Sequence, residues 1–180
     1  QSWDLRIAEH RARARRRIIR EKPFLVVGSP PCTEFCAIQA LNHPRLSEQE
    51  RRRRLTEARV LLDFAVQIYR LQLEGRRHFL REHPASAASW REESMPALRA
   101  DPRVSEIVGD LCRYGLRATG PGGVSGPAKK PTRFLSSSPS VLQQLGFRCR
   151  GDHRHTSLLG GGRMSAAAVY PPGLCLAILK

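Results

Sequence analysis

The sequence predicts an α/β fold with helices on both faces of a mainly parallel sheet, and three stretches carry that expectation. Phe24-Leu25-Val26-Val27 is an unbroken apolar run that stops at Gly28-Ser29-Pro30-Pro31. This is the pattern of a short strand buried in a parallel sheet covered on both faces. His78 to Pro84 reads as a second core strand, terminated by proline. Between them Ser47 and Glu50 make a capping box. Leu55, Ala58, Leu61, Leu62, Ala65, Ile68, Tyr69 and Leu73 then recur at helical spacing until Gly75 closes the helix. Strand, helix and strand in this order form the right-handed crossover that makes two strands parallel neighbours. The topology carries Cys32 and Glu82 to the carboxyl ends of those strands, where open α/β sheets bind their ligands.

The remaining elements follow in order. Asp4 to Arg20 is arginine-rich with a weak apolar stripe (Leu5, Ala8, Ala12, Ile18, Ile19), which predicts a basic surface helix within residues 1–22, ended by Pro23. Ala37 to Leu41 can form a short helix before the Asn42-His43-Pro44 break. Ser89 to Arg99 reads as one or two helical turns interrupted at Pro96. Val104 to Cys112 fits both periods, and its β-branched residues favour a strand. Residues 117–130 read as a flexible glycine- and proline-rich loop. Thr132 to Leu135 suggests a strand, Ser138-Pro139 opens a helix to Leu145, Gly160 to Gly162 is a turn, and Pro171-Pro172 opens an apolar stretch to Leu179. At 180 residues the chain suits one domain.

Thirty-one basic against 16 acidic residues give a net charge of +15. Such a surplus attracts polyanions by counterion release. A nucleic acid, DNA or RNA, is the expected partner, with an anionic membrane surface in second place. Arg15, Arg16 and Arg17 cluster on the first helix, Arg51, Arg52, Arg53 and Arg54 fill the first turns of the long one, and Lys129 and Lys130 adjoin. Cations at a helix N-terminus oppose the macrodipole, so phosphate contact is one reason for the second cluster. The same arginines read equally well as solvated helix faces. Five cysteines, an odd and scattered set, do not make a disulfide framework; the expected setting is intracellular, reducing and nuclear. No apolar run reaches the ~20 residues of a membrane span. The opening at Gln1 suggests a piece of a longer protein.

Cys32 alone is either a small packing residue under a turn or a nucleophile. Cys149, His153 and His155 form a C-x3-H-x-H group to which Cys175 could add a fourth ligand. The spacing departs from the usual knuckle, so a polar turn is the preferred reading over a metal site. Trp3, Tyr69 and Trp90 are read as core or groove-filling residues rather than base-stacking platforms, and Cys112 as core.

Ser29-Pro30-Pro31-Cys32-Thr33-Glu34-Phe35-Cys36 resembles the Pro-Cys nucleophile motif of cytosine-5 DNA methyltransferases, and Glu82-His83-Pro84 resembles their Glu-Asn-Val motif. Tyr170 to Ile178 is similar to the family's closing segment, and Lys130-Pro131-Thr132-Arg133-Phe134 to a strand in its relatives. Together with Trp3-Asp4 and Cys149 to His155, the arrangement most resembles the methyltransferase-like segment of retrotransposon polyproteins. The resemblance implies a partial Rossmann-like methyltransferase fold, the catalytic half. It implies Cys32 as nucleophile on cytosine C6, presented by Pro31, Glu82 at N3, Arg81 or Arg133 as a supporting cation and S-adenosylmethionine as methyl donor. A base in duplex DNA must be flipped out to reach such a pocket.

Thr33 stands where the family has Gln, Cys36 where it has Ser, and His83 where it has Asn. The glycine-rich strand-turn that holds the cofactor precedes the nucleophile motif in the family and has no counterpart here. It lies upstream in a longer protein, or the chain is a degenerate remnant. Two rival readings stay open: a nucleic-acid-binding module without chemistry, and a cysteine hydrolase using Cys32 and His83.

Overall fold

The structure is a computed structural model describing residues 3–36, 46–160 and 162–180. The Ala37 to Leu41 helix and the Asn42-His43-Pro44 break fall outside the described residues. The chain divides into two compact units: residues 1–105 with 135–138, and residues 106–134 with 139–180.

The first unit opens with helix α1, Ala8–Glu21, which buries no residue, as its arginine content dictates. Strand β1, Leu25–Gly28, follows. Helix α2, Glu48–Glu74, begins where the capping box predicts: the Ser47 hydroxyl accepts from the Glu50 amide at 3.1 Å, satisfying one of the orphan donors of the first turn. Strand β2, His78–Pro84, has the span read from the sequence. It pairs in parallel with β1 in the register Leu25↔His78 to Gly28↔Arg81, as the crossover requires. Helix α3, Met95–Arg99, comes next, and Pro96 starts it instead of interrupting it. The missing proline N–H is an orphan at a first turn in any case.

One face of α2 drives this unit together. Leu62, Val66, Tyr69 and Leu73 bury against Phe79, Trp90, Met95 and Leu98, and the Tyr69 ring stacks on Phe79 at 4.6 Å between centroids. Full burial of each such side chain is worth about 1.5–3 kcal/mol. Gln72, fully buried in the same face, donates from Nε2 to the carbonyls of Pro23 and His78 at 2.9 and 2.8 Å. One amide thereby fastens the entries of both strands.

Strand β3, Ser105–Asp110, lies in the second unit from Glu106 onward and runs into a 3-10 turn at Leu111–Tyr114. Residues 117–130 are not a flexible loop. They form a hairpin of β4, Arg117–Thr119, and β5, Ser125–Pro127, paired antiparallel as Arg117↔Pro127 through Thr119↔Ser125. The glycines serve its tip, where Gly122 and Gly123 take φ of 82° and 80°, a region closed to most side chains. Strand β6, Pro131–Ser136, and helices α4, Pro139–Leu145, α5, Arg163–Ala166, and α6, Pro172–Leu179, complete the chain. Leu111, Tyr114, Phe134, Leu142, Leu145 and Leu174 are buried.

The four long strands form a mixed sheet in the order β1-β2-β6-β3; Pro131–Phe134 of β6 belong to the second unit and Leu135 and Ser136 to the first. This order corrects one expectation. β1 lies at an edge, so Phe24 is 73% exposed and Val27 44%, instead of being covered on both faces. Gly75 caps the end of α2 as expected, its amide donating to the Leu71 carbonyl, and the left-handed residue is the next one, Arg76, at φ 53°. Among the described residues no helix is long and apolar enough to cross a membrane.

Candidate active site and metal-ligating cluster

The parallel register brings the turn that leaves β1 to the same end of the sheet as Glu82, since Gly28 lies opposite Arg81. Gly28 is fixed by close approach: a Cβ there would overlap the Tyr69 hydroxyl, which donates to the Gly28 carbonyl at 3.0 Å. Pro30 and Pro31 then stiffen the backbone before half-buried Cys32, whose residue is the N-terminal flank of a 3-10 turn at Thr33–Phe35.

The side chains of β2 alternate across the sheet. Phe79, Arg81 and His83 share one face, and Leu80 and Glu82 the other. Glu82 is buried, at 4% exposure. On the opposite face a chain of hydrogen bonds runs to the cysteine-bearing turn. His83 Nε2 meets the Pro30 carbonyl at 2.9 Å and its Nδ1 meets Ser89 Oγ at 2.6 Å. A carbonyl only accepts, so Nε2 carries the proton and Nδ1 accepts from the Ser89 hydroxyl. Ser89 Oγ in turn accepts from Arg81 Nη2 at 3.0 Å. His83 therefore holds the turn that presents Cys32, the task an Asn side-chain donor could perform at that position.

Arg81 and Ser89 are fully buried. The guanidinium lies 4.6 Å from the centre of the Trp90 ring, and its Nε and Nη1 have no hydrogen-bond acceptor among the described residues. Burial pushes Arg81 below the usual arginine range, and Tyr69 and Glu82 work against that. Burial likewise pushes Tyr69 well above the usual phenol range. Arg81, a candidate cation for Cys32, thus has Ser89 and Trp90 as partners, and those partners were not legible in the sequence.

The other expected site residues are accounted for locally. Arg133 forms an ion pair with Glu106 at 2.7 Å. Lys130 Nζ donates to the Ala167 carbonyl at 3.1 Å, and Lys129 is exposed. The Arg51 to Arg54 cluster is matched by carboxylates on its own helix. Arg51 and Arg52 pair with Glu48, Arg54 with Glu50, and Arg53 with both Glu50 and Glu57. These pairs lower Glu50 to about 2, through Arg53 first and Arg54 second. A reason other than phosphate thus exists for arginines in those turns. On α1, Arg17 and Arg20 share Glu21, and Arg13 lies 4.0 Å from the centre of the Trp3 ring. Arg15 and Arg16 remain exposed, with no ion pair among the described residues. Trp90 and Tyr69 are core residues as expected, whereas Trp3 is 40% exposed.

The second unit holds a separate constellation. The ligand atoms of Cys112, Cys149, His153 and His155 lie within 4.8 Å of one another. Cys149 Sγ is 3.7 Å from His153 Nε2 and 3.4 Å from His155 Nε2. Burial, then the neighbouring Cys149, pushes the Cys112 thiol up to about 11. Cys112 is thus a member of this group, half-buried, where a core role was expected. Cys175, the fourth ligand considered from sequence, is exposed on α6 and outside the group.

No family of known proteins, no curated protein and no solved structure matches this chain.

Proposed function

We propose that the chain carries the base-binding and nucleophile-bearing half of a cytosine-5 methyltransferase-like domain, with a Rossmann-like arrangement of β1, α2 and β2. The observation that supports this reading is the parallel register of β1 and β2, which directs the turn that leaves β1 to the end of the sheet where Glu82 lies. In this reading the Cys32 thiolate adds to cytosine C6 while Glu82 donates a proton to N3, so that charge does not build up on the ring. C5 becomes nucleophilic and takes a proton from solvent; loss of the original C5 proton to solvent, elimination of the Cys32 thiolate and return of the N3 proton to Glu82 restore cytosine.

S-adenosylmethionine would supply the methyl group in place of that proton. The described residues do not form its glycine-rich cradle. Gly122 and Gly123 sit at the β4–β5 tip and Gly160 and Gly162 precede α5, and neither run opens a helix after a strand of the four-stranded sheet. The chemistry proposed for this chain is therefore the cofactor-independent half, addition and C5 exchange.

Incubation with a cytosine-containing oligonucleotide in deuterated water should place deuterium at C5, and Cys32→Ala and Glu82→Gln should each abolish it. Exchange by wild type and Cys32→Ala at equal rates would overturn the assignment. A second reading, a nucleic-acid-binding module without chemistry, is favoured by the +15 charge and the exposed Arg15 and Arg16. It predicts salt-dependent binding with no exchange.

A further inference from the structure

We propose that Cys112, Cys149, His153 and His155 bind one zinc ion that holds the second unit together. Four features carry this inference. The first is the donor set: two thiols and two imidazoles suit a borderline-soft ion of tetrahedral preference and do not suit magnesium or calcium. The second is the spacing. Zinc–sulfur and zinc–nitrogen bonds of about 2.3 and 2.0–2.1 Å at a tetrahedral angle place S and N ligands about 3.6 Å apart, against 3.7 and 3.4 Å for Cys149 with the two histidines.

The third is orientation. The Asp152 carboxylate lies 2.7 Å from His153 Nδ1, which keeps the proton on that nitrogen and turns the Nε2 lone pair to the centre of the group, the carboxylate–histidine arrangement common behind metal ligands. Asp152 is steadied by Arg113 at 3.9 Å. The Gly151 amide donates to Cys149 Sγ at 3.4 Å, and the Cys149 amide donates to the buried Asp110 carboxylate at 2.9 Å. A thiolate at Cys149 is thus met by a backbone donor, and the loop that bears it is anchored.

The fourth feature is need. Residues 146–160 form no helix or strand, so little regular hydrogen bonding fixes them. Cys112 belongs to the 3-10 turn after β3, and a zinc ion would tie that turn to the irregular segment. Four protein ligands leave no open position, which marks the site as structural, not catalytic. Both thiols would bind as thiolates, their protons released to solvent.

The test is metal analysis of the full chain purified under reducing conditions. One equivalent of zinc per chain is expected, retained in Cys175→Ser and lost in Cys112→Ser and Cys149→Ser. Asp152→Asn should weaken zinc binding about tenfold while leaving the stoichiometry intact at saturating metal. Replacement by cobalt(II) should give the intense visible bands of a tetrahedral thiolate site. Because ligand variants can misfold, alkylation of the wild-type protein supplies an independent reading: Cys112 and Cys149 should be protected until a chelator is added, with Cys175 modified equally in both conditions. Substoichiometric zinc, full zinc in the Cys112→Ser/Cys149→Ser double variant, a six-coordinate cobalt spectrum, or a native Cys112–Cys149 disulfide without metal would each overturn the proposal.

Discussion

Ser89→Ala should destabilise the protein more than Arg81→Met, although it deletes a single oxygen. Ser89 Oγ joins two buried partners, accepting from Arg81 Nη2 at 3.0 Å and donating to His83 Nδ1 at 2.6 Å. Its removal leaves two buried groups, the His83 Nδ1 acceptor and the Arg81 Nη2 donor, with only their mutual 3.4 Å contact in place of bonds at 2.6 and 3.0 Å. A buried group left unsatisfied costs about 1–3 kcal/mol, more when charged, so two poorly satisfied ones predict a loss of about 2–4 kcal/mol. Arg81→Met removes the cation itself. That forfeits the contact with Trp90, worth about 0.5–2 kcal/mol, the bond to Ser89 and the long contact with His83 Nδ1. It also relieves a buried charge whose Nε and Nη1 have no acceptor among the described residues, and replacing buried charges by packed apolar groups is often neutral or better. Ser89 keeps His83 as partner in that variant. The expected change is within about 1.5 kcal/mol. Urea unfolding of both variants at pH 7, read by midpoint and slope, decides the matter. A cost above 3 kcal/mol for Arg81→Met with less than 1 kcal/mol for Ser89→Ala would show that the guanidinium, not the serine, holds this face together.

Three further outcomes are expected. Gly28→Ala should destabilise by about 1–3 kcal/mol, because the added methyl displaces the Tyr69 hydroxyl and its bond to the Gly28 carbonyl; Tyr69→Phe in the same background should recover part of the loss in thermal unfolding. If nucleic acid is bound through α1, the Arg15→Ala/Arg16→Ala double variant should reduce the slope of log K against log salt by about two, whereas Arg53→Ala, already paired with Glu50 and Glu57, should leave it nearly unchanged. Acid should loosen the surface pairs. Glu50 and Asp101 are lowered to about 2 by Arg53 and Arg103, so their contribution is complete above the ordinary carboxylate range and fades as pH falls toward 2. Helix content followed by circular dichroism between pH 5 and 2 should fall at the α2 N-terminus, less steeply in high salt, where exposed pairs are already screened.

The crossover was the most legible part of the molecule. A capping box, a long 3.6-residue period and two apolar runs specify β1, α2 and β2 through local chemistry, and β2 matches from His78 to Pro84. Burial of β1 was not legible, because its edge position depends on where β6 lies in the sheet. The β4–β5 hairpin was hidden for another reason: strands of three residues among glycines and prolines carry no usable period. In the candidate site, Cys32 and Glu82 were visible as residues at strand ends, while the hydrogen bonds from Arg81 through Ser89 and His83 to Pro30 join separate parts of the chain. Cys112 illustrates the same limit. It stands alone in an apolar stretch, and only the fold brings it to Cys149, His153 and His155.

The self-paired first turns of α2 bear on the order in which the chain folds. A helix of 27 residues, about 40 Å long, whose cap and N-terminal ion pairs all come from its own sequence, can form before any distant contact exists. β1 and β2 must find each other across the long segment between Gly28 and His78, and a formed helix takes up much of that closure entropy in advance. Strand pairing is then the slow step. Weakening the α2 cap by Ser47→Ala should slow refolding, and Leu174→Ala in α6 should chiefly quicken unfolding.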